Sequence, residues 1–152
     1  MIVDYPRLAT QIHALCHGET DAVALMATVV CEVHTTHPLS DWTGFYRVTD
    51  PELLKIGPYQ GSHGCLVIPF SRGVCGTVAR NGKHLIVPDV AAFADHIACS
   101  STTRSELVLP VWNGAGKLLG VLDLDSNTLN AFTENDATHL ARILADTFHD
   151  AV

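Results

Sequence analysis

Between Leu118 and Asp125 the chain reads Leu-Leu-Gly-Val-Leu-Asp-Leu-Asp, a run best accommodated by a strand with two unlike faces. On an extended backbone, successive side chains point to opposite sides. Leu118, Gly120, Leu122 and Leu124 then share one wholly apolar face, which must pack against helices. The other face carries Leu119 and Val121 and ends in Asp123 and Asp125. Like charges at neighbouring positions on one face repel, and burying an unpaired carboxylate is expensive. Either this end of the strand is open to water, or a cationic ligand above it relieves both costs.

The remaining chain can be sorted around that strand. Period-two segments bounded by Gly, Pro and Asp predict strands near Trp42–Val48, Leu53–Tyr59, Leu66–Phe70, His84–Val87 and Glu106–Val111. Asn113-Gly114-Ala115-Gly116 precedes the last strand and is a hairpin signal, since Asn and Gly tolerate the positive φ of tight turns. A short first helix is expected over Leu8–Leu15. A second follows Thr20 as N-cap, with Asp21 in its first turn. From Ala22 to Val33 this helix is almost all Ala, Val, Leu and Met, so it is expected to be buried on every side, in the core or against a second subunit. That is compatible with a homodimer. The last helix has the clearest pattern: Thr133 as N-cap, Asp136 three residues on, then Ala137, Leu140, Ile143, Leu144 and Phe148 at helical spacing. Gly73–Asn81 reads as a loop and a short helix. Ala91–Ser105 is a long irregular excursion of the kind that forms a lid or binding element. The expectation is an α+β fold with a meander of about six antiparallel strands, covered on one face.

The chain has 152 residues, 47% of them hydrophobic and 16% charged, which predicts one folded domain spanning residues 1–152. A formal net charge of −7 repels phosphate backbones, arguing against nucleic acid and allowing a small cation or zwitterion. Asp4, Arg7 and His13 interrupt the first residues, so no signal peptide is visible, and no run is long enough to span a membrane. The expected location is cytoplasmic. Stable disulfides are rare there, and five cysteines cannot all pair, so any disulfide should be transient and chemical.

Cys65, Cys75 and Cys99 stand apart from Cys16 and Cys31. They lie in Gly64-Cys65, Gly73-Val74-Cys75-Gly76 and His96-Ile97-Ala98-Cys99, beside glycine or in loop-like sequence. Cys75 lies where a short helix would begin, and a helix N-terminus stabilises a thiolate. His96 precedes Cys99 by three residues and could assist it if the segment turns. Cys31 is expected to be a small core residue, and Cys16 structural filler. Trp42, Gly44 and Tyr46 share a strand face, where two aromatics flanking a glycine could leave a gap for a ligand or simply pack in the core. No Cys-x2-Cys or Cys-x4-Cys pair is present and the nine histidines are scattered, which argues against a metal site. A Cys-His hydrolase lacks a local nucleophile signature.

The strings Asp41-Trp42-Thr43-Gly44-Phe45-Tyr46, Gly73-Val74-Cys75-Gly76-Thr77, His96-Ile97-Ala98-Cys99, Ser105-Glu106-Leu107-Val108-Leu109-Pro110 and Gly120-Val121-Leu122-Asp123-Leu124-Asp125-Ser126 occur in this order. In that order and spacing the chain resembles the free methionine-R-sulfoxide reductases, which are stand-alone GAF domains. The resemblance runs from about Leu8 to Leu144. It implies a six-stranded antiparallel sheet with helices packed on one face and a ligand pocket on the other. By resemblance Cys99 is the catalytic cysteine, Cys65 the resolving one and Cys75 an auxiliary partner, although analogy alone would let either Cys99 or Cys75 make the attack. Trp42 and Tyr46 match the aromatic wall of the substrate pocket, and Glu106, Asp123 and Asp125 match its carboxylates. Asp95, Ser100 and Arg104 depart from the family pattern.

The resemblance implies thiol chemistry with no organic cofactor. A thiolate attacks the sulfoxide sulfur, a sulfenic acid forms, an intramolecular disulfide resolves it, and thioredoxin restores the thiols. Selectivity for the free amino acid would follow from its α-ammonium group, which Asp123 and Asp125 can pair. The competing readings are a GAF small-molecule sensor without catalysis and a thiol redox switch without substrate.

Overall fold

A computed structural model describes residues 2–152. The elements run α1 (Tyr5–Cys16), α2 (Ala22–Thr36), β1 (Trp42–Asp50), β2 (Leu53–Gln60), β3 (Val67–Pro69), α3 (Gly73–Asn81), β4 (Leu85–Val87), β5 (Ser105–Trp112), β6 (Leu118–Ser126) and α4 (Glu134–Thr147). The six strands form one antiparallel sheet in the order β3-β2-β1-β6-β5-β4. It is not a simple meander. The first and last long strands, β1 and β6, pair at the centre, and the chain crosses from one edge strand, β3, to the other, β4, through α3.

The helices begin where side-chain oxygens can take up free backbone N–H groups. Asp4 accepts from Arg7 N at 3.0 Å, starting α1 three residues before the expected Leu8. Asp21, not Thr20, caps α2 by accepting from Ala24 N at 2.9 Å. The Thr20 carbonyl instead accepts from the C-terminal Val152 N. Thr133 and Asp136 form the capping box expected for α4.

One sheet face carries Phe45, Leu107, Leu109, Leu122 and Leu124 and packs against α1, α2 and α4. Burying five such side chains contributes roughly 8–15 kcal/mol before entropy is set against it. The opposite face carries Trp42, Tyr46, Val108 and Val121 and is covered by α3, with Val74, Cys75 and Val78 packed inward.

Two expectations fail here. Helix α2 is buried along Leu25, Met26, Val29, Val30 and Val33, while Val23, Ala24, Ala27 and Cys31 are exposed. Within the chain it has neighbours on one side only, which removes the core alternative and leaves a second subunit as what could cover the far side, where small residues predominate. Cys31 is therefore a surface thiol, not a core residue. The strict alternation along β6 also breaks. Trp112 pairs with Leu118 while Val111 pairs with Gly120, so Leu119 is an extra residue in a bulge. Leu119 consequently packs with the helix-covered core, and Leu118 joins the opposite cluster. Glycine is needed beside the bulge because a Cβ at Gly120 would lie 2.1 Å from the Tyr46 carbonyl oxygen.

Candidate active site

Strand register assembles the site. Glu106 on β5, Asp125 on β6 and Trp42 on β1 are direct neighbours in one row across the sheet. Val108, Asp123 and Gly44 form the next row, and Pro110, Val121 and Tyr46 the third. Three carboxyl groups thus meet on one patch of the face opposite the main core. Alternation within β6 had placed Asp123 and Asp125 together and the resemblance had added Glu106; strand pairing is the physical reason it stands beside them.

Of the two arrangements the sequence allowed around Gly44, a gap or close packing, the structure has the packed one. No gap is left over Gly44, because the Trp42 indole lies across it. A Cβ there would be 2.2 Å from the ring. Trp42 stacks between Tyr46 and Tyr59, with ring centroids 5.9 Å and 5.5 Å away. Its Nε1 donates to the Ser62 carbonyl at 2.7 Å, anchoring the loop that leads to Cys65. Tyr59 is a site-building residue that sequence reading missed, since its pairing with Gly44 depends on register.

Two loops close over this patch. One runs through Ser62, His63 and Gly64; the other is the predicted excursion, which forms a 3-10 turn at Val90–Ala92 and then lies over the sheet. Phe93 and Ile97 pack it onto the α3-side cluster. The cavity beneath has a volume of about 100 Å³ and is lined by Trp42, Tyr46, Cys75, His96, Cys99, Glu106, Asp123 and Asp125 among others. Of the three departures from the family pattern, Ser100 lines the cavity, while the exposed Asp95 and Arg104 do not.

Cys65 and Cys99, 34 positions apart in sequence, are joined by a disulfide with a Cα–Cα distance of 5.2 Å. The bond links the two loops, and Cys99 lines the cavity. Cys75 remains a free thiol, 3% exposed. Its place in the first turn of α3 does not favour a thiolate. Burial, reinforced by Asp123, Glu106 and Asp125, pushes this thiol well above its ordinary value. The helix-dipole expectation fails because the side chain points at carboxyl groups within the core.

The carboxyls are also perturbed. Burial and then Asp125 raise Glu106, burial and then Glu106 raise Asp123, and burial and then Asp123 raise Asp125, each well above the usual carboxylate range. Burial and then Asp123 likewise hold the Tyr46 phenol protonated. His96 Nε2 lies 3.6 Å from Glu106 Oε2, and burial lowers its pKa. No Lys or Arg is among the lining residues. A ligand bearing a cationic group would draw these carboxyls into the ionised form, and until then they can hold and deliver protons.

A GAF domain model matches residues 17–152. The free methionine-R-sulfoxide reductase of Escherichia coli is 36% identical over 93% of this chain and 84% of its own length. The chain belongs to this GAF-domain reductase family. Among solved structures, the Neisseria meningitidis free methionine-R-sulfoxide reductase in complex with its substrate is 42% identical, with a TM-score of 0.86 over 95% of this chain and 87% of that one. The Staphylococcus aureus fRMsr in its reduced form is 31% identical, with a TM-score of 0.90 over 97% and 96% of the two chains. In this reductase fold the helices are not confined to one face. α1, α2 and α4 cover one side, while α3 supplies Cys75 to the other. No helix among the described residues is long and apolar enough to cross a membrane.

Proposed function

We propose that this chain reduces free L-methionine (R)-S-oxide to methionine through Cys99 and Cys65, with one GAF domain over residues 1–152 carrying the whole reaction. The observation that carries the reading is the Cys65–Cys99 disulfide joining two pocket loops beside Glu106, Asp123 and Asp125.

The Cys99 thiolate attacks the sulfoxide sulfur while a protonated carboxyl, from Glu106, Asp123 or Asp125, gives its proton to the oxygen. Methionine leaves, and Cys99 carries the oxygen as a sulfenic acid. The Cys65 thiol attacks that sulfur, water departs, and the disulfide forms. Two electrons have passed from the thiols to the sulfoxide. A dithiol protein of the thioredoxin type returns them by exchange and leaves as its own disulfide, which fits a cytoplasmic setting. Cys75 does not make the attack in this scheme, since it is buried and held as a neutral thiol.

Recognition of the free amino acid rests on its α-ammonium, which pairs with Asp123 and Asp125. A peptide-bound residue presents a neutral amide there and leaves the carboxylates unpaired. Trp42 and Tyr46 form the wall for the methyl sulfoxide. The decisive measurement is NADPH consumption with thioredoxin, its reductase and R-configured methionine sulfoxide. Turnover with the free substrate and none with a peptide-bound sulfoxide is expected. Equal turnover of both forms would sink the recognition scheme, and none with either would favour a non-catalytic sensor.

A further inference from the structure

We propose that Cys75, Glu106 and Asp123 form a binding site for a divalent cation of the Zn²⁺ class, and that its occupation blocks the substrate pocket. The blocking rests on the reductase reading above; the binding does not.

The three residues come from α3, β5 and β6, and one ligating atom of each, Sγ or a carboxylate oxygen, lies within 4.8 Å of the others. All three are buried, at 3%, 5% and 4% exposure respectively. Asp123 Oδ1 is buried on the cavity wall with no donor at ordinary hydrogen-bond geometry, its carboxyl being approached by the Glu106 carboxyl and the Cys75 thiol. Such an orphan is costly, and no Lys or Arg among the lining residues answers it. The proposed reaction also leaves the Cys75 sulfur idle. A buried thiol and two carboxyls, one of them with an unpartnered oxygen, converge with no Lys or Arg among the cavity-lining residues and form a donor set suited to a cation.

The donor chemistry selects the metal. Thiolate and carboxylate together suit zinc, with bonds of about 2.3 Å to sulfur and 2.0–2.2 Å to oxygen. Tetrahedral ligands at those lengths sit roughly 3.3–3.7 Å apart, and the three donor atoms here lie within 4.8 Å of one another, close enough for side-chain adjustment to complete the site. His96 Nε2 lies 3.6 Å from Glu106 Oε2 but outside the trio, so the fourth position falls to water or to a shifted His96. Mg²⁺ and Ca²⁺ want six or more oxygens and gain little from sulfur. On binding, the Cys75 thiol and whichever of Glu106 and Asp123 is protonated release their protons to solvent as the metal–sulfur and metal–oxygen bonds form. The cation then occupies Asp123 and Glu106, which the substrate needs.

The oxidised protein isolates the question, because Cys65 and Cys99 are locked in their disulfide and cannot ligate. In that form, with Cys16→Ser and Cys31→Ser removing the remaining unrelated thiols, Co²⁺ is titrated and thiolate-to-cobalt charge-transfer absorbance is followed. One equivalent should produce the band, and Zn²⁺ should abolish it. Adding Cys75→Ser should eliminate it, and adding Asp123→Asn should weaken Co²⁺ at least tenfold. No band in the oxidised protein, or a band that survives Cys75→Ser, overturns the site without reliance on any variant's activity. Blocking is read separately, as methionine formed in a single turnover by pre-reduced protein. Zn²⁺ should suppress it, with Cys75→Ser raising the half-inhibiting concentration at least tenfold. An unmoved value would place the inhibition at Cys65 and Cys99 and overturn the blocking. Failure of metal-free protein to form methionine would count against the reductase reading and leave the cobalt band untouched.

Discussion

Buried carboxylates occur on both sides of the sheet, and their surroundings differ completely. Asp136, at the start of α4, accepts from Tyr5 OH at 2.6 Å and from Thr133 N and Oγ1 at 2.8 Å and 2.9 Å, with His37 Nε2 3.4 Å away. Burial alone would push its carboxyl up, but His37, Tyr5 and Thr133 outweigh that and hold it below the ordinary range. Glu106 and Asp123 are likewise buried and Asp125 partly so, yet their nearest charged neighbours are chiefly one another, and all three are pushed up. In the first site the Asp136 carboxylate itself is fully partnered, although His37 Nε2 makes no hydrogen bond of ordinary geometry, and the cluster holds the fold together. The second is left incomplete, and a substrate can complete it. An unsatisfied buried charge is thus the better marker of function, because a protein retains such a cost where binding relieves it.

The largest expected effect removes the thiol that this incomplete site serves. Cys99→Ser should lower kcat by at least about 10³-fold in the thioredoxin-coupled assay, and activity within tenfold of the parent would overturn the assignment of the nucleophile. Next comes the ammonium pair. Asp125→Ala should raise KM for free methionine-R-sulfoxide by about 10²-fold with a smaller change in kcat, consistent with a lost charged hydrogen bond. A KM within threefold of the parent would refute the pairing.

The finished site should respond in stability and not in binding. Asp136→Ala should cost about 2–3 kcal/mol in denaturant unfolding, through the lost cap and an orphaned Tyr5 hydroxyl, and leave KM unchanged. Asp123→Asn should do the reverse, stabilising the protein by about 1 kcal/mol at pH 8 while impairing turnover. The pH dependence separates the two sites further. Asp136, held low in the folded state, contributes stability above its unfolded value near about 4 that is lost as the pH falls. The pocket carboxyls, raised on folding, contribute stability at low pH that is lost as the pH rises through their folded values. Asp136→Ala should therefore flatten the acid limb of stability against pH, and Asp123→Asn the alkaline limb. The smallest effect belongs to Cys31→Ser, a surface change worth less than about 0.5 kcal/mol. A larger loss would mean that the exposed side of α2 is covered in solution.

Much of this protein could be read from the chain because the governing physics is local. Period two in Leu118–Asp125 set the faces of β6 apart from the bulge, and period 3.6 with Thr133 and Asp136 set α4. The three cysteines of interest stood out by their glycine-rich and loop-like neighbours. What residues do alone, or with neighbours a few positions away, is encoded where they stand. Tertiary structure decided the rest. Strand order placed Glu106 opposite Asp125 and beside Trp42, and loop closure brought Cys65 to Cys99. Packing of α3 on the sheet set Cys75 beside Asp123 and turned an expected thiolate into a neutral thiol. It also decided which side of α2 faced solvent, and so where Cys31 lay. These outcomes depend on register and on which neighbour fills each space. Both are properties of residues far apart in sequence, and local periodicity carries no information about them.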